Sequence, residues 1–173
     1  MKHIAFAVFV AATLASVQAS ASELVTIDYA AAELGAGRWE YTYQVTNQGL
    51  LEPIREFTIW FKHGKYENLS VTTGNPPAGQ WDEIVVQPDP YLPDDGFYDA
   101  LELAGGIALG ESVSGFSVAF DWADAKPPGP QLFDVVDPDT FDTIFSGQTV
   151  PEPASGPLLV LLAVLGRRFL HRR

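Results

Sequence analysis

Cysteine is absent from the 173 residues, and methionine occurs only as Met1. Without thiols the chain has no disulfide and no thiolate-bound metal, so its fold rests on core packing alone. Histidine is nearly as scarce. His63 is the only one between the two ends, which rules out the usual zinc sites built from several histidines. A hydrolase of the serine type lacks its signature too, because Gly110-Glu111-Ser112-Val113-Ser114-Gly115 has the wrong spacing for a nucleophile elbow. Internal repeats are missing, and no central segment sustains a helical period. Cations are few. All 22 carboxylates fall between Glu23 and Glu152, where only Arg38, Arg55, Lys62, Lys65 and Lys126 oppose them, a net charge of −17. Such a surface repels nucleic acid and anionic lipid, and it keeps a protein soluble outside the cell.

The two ends differ from the middle. Met1-Lys2-His3 precedes an uncharged run from Ile4 to Val17 and then small residues, the pattern of a secretory signal peptide. Cleavage after Ala19 or after Ala21 fits a small-x-small site. The run of 14 residues falls short of the ~20 that span a bilayer. At the other end Val150-Pro151-Glu152-Pro153 leads into an apolar stretch and then Arg167, Arg168, Arg172 and Arg173. Proline cannot join a helix interior, so Pro151-Glu152-Pro153 is extended. The apolar stretch partitions into the membrane, and the arginines hold the terminus on the cytoplasmic side. From Ala154 to Gly166 there are 13 uncharged residues, spanning ~20 Å as a helix against a ~30 Å hydrocarbon core. Snorkelling arginines with Phe169 and Leu170 narrow that mismatch.

This tail resembles the PEP-CTERM sorting signal of Gram-negative bacteria. The resemblance implies that an exosortase processes the chain, with Pro151, Glu152 and Pro153 as the recognition motif and the arginines as retention charges. A looser likeness to short exoproteins of that group lies in Gly110–Val118, Phe133–Pro138 and Ser146–Thr149. It implies a sandwich-like surface module and no active site.

Between the ends the period is two. Trp39, Tyr41, Tyr43 and Val45 alternate with polar residues, as do Phe57, Ile59 and Phe61, and Phe116, Val118, Phe120 and Trp122. Shorter runs are Leu24–Tyr29, Leu69–Thr73, Ile84–Gln87 and Thr140–Phe145, while Phe97–Leu103 reads as a short helical turn. Breakers rich in Pro and Gly separate them. The expectation is an all-β antiparallel sandwich, with a barrel or jelly roll giving a similar pattern. Its boundaries are residues 20–147, flanked by the signal peptide (1–19) and by a linker plus sorting signal (148–173) whose hydrophobic helix covers about 154–166.

Three chemistries remain for the middle. Asp89, Asp94, Asp95 and Asp99 share a Pro-rich loop, with Asp94, Asp95 and Asp99 the candidate ligands, and Asp134, Asp137, Asp139 and Asp142 share another. Oxygen ligands on loops suit Ca²⁺, although neither loop has EF-hand spacing, and a solvated acidic surface is the plainer reading. Trp60 falls on the strand face opposite Phe57, Ile59 and Phe61, where an indole can stack on a sugar ring or serve as an edge or inter-sheet residue. Paired carboxylates for glycoside hydrolysis occur by chance among so many acids, and no catalytic residue is assigned. The sequence therefore reads as a non-enzymatic exported surface or matrix protein. It is retained in the inner membrane until exosortase releases it to the cell surface or an exopolysaccharide matrix. The alternatives are a carbohydrate- or calcium-binding sandwich delivered by the same route and, third, a secreted hydrolase. No cofactor is implied beyond Ca²⁺.

Overall fold

The computed structural model describes residues 23–74 and 77–153. Among them are ten strands and no helix: β1 (Val25–Gly35), β2 (Arg38–Asn47), β3 (Glu56–Phe61), β4 (Tyr66–Val71), β5 (Trp81–Val86), β6 (Gly96–Glu102), β7 (Ser112–Trp122), β8 (Leu132–Val136), β9 (Thr143–Gln148) and β10 (Val150–Pro151). They form two five-stranded sheets, ordered β10-β1-β2-β7-β4 and β5-β6-β3-β8-β9. Every neighbouring pair is antiparallel except β1 with β10. The all-β sandwich expected from the alternation is therefore present.

The alternating residues build the core as the period requires. Tyr41, Tyr43 and Val45 on β2 and Phe116, Val118 and Phe120 on β7 are buried against Phe57, Ile59 and Phe61 on β3 and Tyr98 on β6. Across the two sheets, ring centroids of Phe57 and Phe116 lie 5.0 Å apart, and those of Tyr43 and Tyr98 lie 6.4 Å apart. Tyrosines can sit so deep because their hydroxyls are satisfied. The Tyr43 hydroxyl donates to Gln131 Oε1 at 2.5 Å, Tyr41 donates to the Gly129 carbonyl at 2.7 Å, and Tyr98 donates to Glu83. No buried side-chain nitrogen or oxygen among the described residues lacks a partner. Burial pushes the Tyr43 and Tyr98 phenols far above their ordinary value, so both stay neutral donors.

One expected element is corrected. Phe97–Leu103 is not a helical turn: Phe97 to Glu102 belong to β6, hydrogen-bonded to β3 on one side and β5 on the other, and Leu103 follows the strand. Two complete ladders outweigh the weak local helix preference of Ala100, Leu101 and Glu102. The β-structure also runs past residue 147. Val150 and Pro151 pair with Asp28 and Tyr29, and the Glu152 amide donates to the Tyr29 carbonyl at 2.9 Å. Pro151 sits on an edge strand, where a missing N–H breaks no ladder. The expected signal peptide, the expected C-terminal helix over 154–166 and the retention charges Arg167, Arg168, Arg172 and Arg173 fall outside the described residues. Among the described residues no helix is long and apolar enough to cross a membrane.

The antiparallel order sends the connections alternately to the two ends. The β1–β2, β3–β4, β5–β6 and β7–β8 connections share one end, and those after β2, β4, β6 and β8 share the other.

Candidate functional site

The end carrying the β3–β4 connection concentrates the unusual residues. Trp39 is the second residue of β2, Trp60 is the penultimate residue of β3, and Trp122 closes β7, so three of the four tryptophans stand here, each half-buried. The fourth, Trp81, is buried in the core. Strand parity explains the difference between them. Trp39 and Trp122 continue the inward face of the first sheet beyond the core, where the layers end, whereas Trp60 points to the outer face of the second sheet.

Two adjoining clefts share Trp122. The first, about 320 Å³, lies between Trp60 and Trp122 and is bordered by Lys62, Lys65, Asp95 and Gln131. The second, about 260 Å³, lies between Trp39 and Trp122 and is bordered by Glu33, Asp124 and Lys126. The rings are held in place. The Trp60 indole N–H donates to Asp134 Oδ2 at 2.8 Å, while Asp134 Oδ1 accepts from Ser146 at 2.5 Å. Phe97 meets the Trp60 ring edge-on at 5.7 Å. Trp122 packs on Tyr66 at 4.7 Å, and its N–H donates to the Lys126 carbonyl at 2.5 Å. Gln131 joins the cleft to the core, since it accepts from the Tyr43 hydroxyl and donates to the Trp60 carbonyl at 3.4 Å.

The turn Lys62–Lys65 delivers both lysines. It closes with the Lys65 amide on the Lys62 carbonyl at 3.2 Å, and Gly64 takes the positive φ, 72°, that this turn needs. Lys65 pairs with Asp124 at 2.7 Å. That hydrogen bond, aided by the Ala125 amide, holds the Asp124 carboxyl below its ordinary value. Burial raises the Tyr66 phenol, which stays neutral behind Trp122.

A larger cleft of about 590 Å³ lies at the opposite end, lined by Leu50, Leu51 and Ile144 with Arg55. Its guanidinium is occupied, at 2.7 Å from Asp139 and 3.4 Å from Glu102. That cleft offers apolar surface and the Glu52 carboxylate, with its only cation already paired.

The acidic loops do not assemble. Asp94 bridges back to Asp89 through the backbone, Asp95 Oδ1 accepts from the His63 amide at 2.7 Å, and Asp99 sits on β6 accepting from the Thr58 hydroxyl at 2.6 Å. Among the described residues no group of three or more His, Asp or Glu side chains is placed to hold a metal ion. The expectation of Ca²⁺ on Asp94, Asp95 and Asp99 therefore finds no converging geometry. Of the second group Asp134 sits on β8 and serves Trp60, while in the loop after it Asp137 accepts from the Asp139 amide at 2.8 Å and Asp139 serves Arg55.

Sequence reasoning singled out Trp60 and its outward face, and missed Trp39, Trp122 and Lys62 as its neighbours. Their positions at strand ends near basic residues (Arg38 before Trp39, Lys126 after Trp122) were the available signal.

No protein-family model matches the chain. No curated protein matches it either. Solved structures of similar shape include the chitin-binding domain of Chi18aC from Streptomyces coelicolor, at 18% identity and a TM-score of 0.41, over 63% of this chain and 89% of that one. A family 3b carbohydrate-binding module from Clostridium clariflavum aligns at 11% identity and 0.39, over 58% and 72%. A GH20 exo-β-N-acetylglucosaminidase from Vibrio harveyi aligns at 9% and 0.37, over 76% of this chain and 18% of that one. Likenesses of this depth assign neither a family nor a ligand.

Proposed function

We propose that this chain is an exported, non-catalytic surface or matrix protein whose sandwich binds polysaccharide at its tryptophan-lined end. The observation that carries the reading is the pair of clefts sharing Trp122, with Trp60 held by Asp134 on one side and Trp39 on the other. A sugar ring presents an apolar face and a polar rim. Indoles serve the face, and the lysine ammoniums that border the clefts serve the rim. Fixed indoles lose little freedom on binding, so stacking is not cancelled by ordering.

Affinity electrophoresis of the full chain through gels containing soluble polysaccharides tests this, with tryptophan emission as a second readout. Retardation by at least one polymer is expected, and Trp60→Ala should weaken it about tenfold or more. Retardation untouched by Trp60→Ala and by Trp122→Ala would refute the site.

Delivery follows from the two ends. The leader directs export, and the tail that resembles the PEP-CTERM signal retains the chain in the inner membrane until exosortase cuts near Pro151-Glu152-Pro153. Intact-mass measurement of the exported form should find a start at Ser20 or Ser22 and an end close to Pro153. Surface-exposed molecules still carrying Arg173 would overturn the processing.

A further inference from the structure

We infer that the saccharide bound at the tryptophan end is anionic, a polymer whose rings carry carboxylate or sulfate groups; this rests on the polysaccharide reading above. Carboxylates outnumber cations 22 to 5 between Glu23 and Glu152, so a carboxylate partner is abundant for every cation. Arg38 pairs with Asp121, Arg55 with Glu102 and Asp139, and Lys65 with Asp124. Lys62 and Lys126 have no ion-pair partner among the described residues, and both border clefts that Trp122 shares. An exposed lysine left unpaired amid such an excess of acid is free for an acid brought by a ligand.

The acids of the same clefts are mostly engaged. Asp95 is turned to the His63 amide, and Asp124 is held by Lys65 and the Ala125 amide; Glu33 alone has no partner among the described residues. The opposite end holds only Arg55, already neutralised. An anionic polymer is repelled by most of this surface, and the field confines its contact to the end where the free ammoniums stand. Lysine serves as a point charge and so does not demand one acid geometry, which is why carboxylate and sulfate are both admitted.

Affinity electrophoresis of the full chain compares polygalacturonate, its carboxyl-reduced neutral form, dextran sulfate, dextran and a single-stranded oligodeoxynucleotide. Tighter binding of polygalacturonate than of its reduced form, by about tenfold or more, is expected. The double variant Lys62→Gln/Lys126→Gln should abolish that preference while leaving its melting temperature within a degree or two of the parent. Dextran sulfate binding as tightly supports the inference with sulfate as the source. Equal binding of native and reduced polymers, still lost in Trp60→Ala, would overturn the anionic class and leave the polysaccharide reading standing. Retardation by none of the polymers would overturn both, and tighter binding of the oligonucleotide would reassign the clefts to nucleic acid.

Discussion

Replacing Phe120 by alanine removes a ring with no exposed surface, standing 4.9 Å from Tyr41, 5.0 Å from Tyr66 and 5.9 Å from Phe61. Buried Phe→Ala changes cost about 3–5 kcal/mol, through lost transfer energy and the cavity left behind. Three aromatic partners place this site toward the upper end, because each pair contributes roughly 0.5–1.5 kcal/mol beyond area burial. The partners come from both sheets, so the cavity closes only if the layers shift, and tyrosines tied to Gly129 and Gln131 resist that shift. We expect a loss of about 4–5 kcal/mol. For a domain of about 130 residues at ~3–4 °C per kcal/mol, this lowers Tm by roughly 12–20 °C. Urea and thermal unfolding of the full chain by near-ultraviolet circular dichroism measure it, with an unchanged denaturant slope confirming that the same surface is exposed. Ser117 on the same strand is the control. Its hydroxyl, buried on the face away from the other sheet, lies 2.8 Å from the Thr72 hydroxyl, and Ser117→Ala should cost only ~1 kcal/mol. A Phe120→Ala loss no larger than the control would refute the packing argument.

Three further outcomes follow from local geometry. A Cβ on Gly96 would meet the Pro88 nitrogen at 2.5 Å and the Val86 carbonyl at 2.6 Å, so Gly96→Ala should destabilise by about 1–3 kcal/mol in urea melts. Phe141 adopts φ 62° while 79% exposed; Phe141→Asn, which tolerates the left-handed region, should stabilise by about 0.5–1 kcal/mol in the same assay. Burial, and then the Asp82 charge, raise the Asp99 carboxyl above its ordinary value, and burial and Asp99 raise Glu56. Ionising a group whose folded pKa is raised costs stability, so that stability returns as pH falls from neutrality through the raised values toward about 4. Asp121 and Glu102, held low by hydrogen bonds, give up their share only below the ordinary carboxylate range. Tm should therefore rise as pH falls from neutrality toward about 4, and Asp99→Asn should raise Tm at neutral pH while shrinking that rise. A Tm that falls over this interval would refute the assignment.

The parts of the fold legible in the sequence were those in which one face is buried and the other solvated. Trp39–Thr46, Phe57–Phe61 and Phe116–Trp122 each declare a strand, and parity alone put Trp60 on the outer face and Phe120 inside. Strands whose outer residues are themselves covered or bonded declare less. In β8 the outward Asp134 is held by Trp60 and Ser146, so Phe133-Asp134-Val135 shows a strand whose acid is structural. In β6 the outward positions Phe97 and Leu101 lie four apart, a helical spacing, and only the ladders from β3 and β5 decide against it. The tryptophan end was hidden for a different reason. Trp39, Trp60 and Trp122 come from three strands in two sheets, and only the strand order brings them to one end. Whether a lysine is paired is likewise a property of space. Lys65 and Lys62 belong to one turn, yet Asp124, arriving from the far end of β7, neutralises the first and leaves the second free. That asymmetry in a single turn gives the anionic reading its foothold, and it becomes visible only once the sheets are stacked.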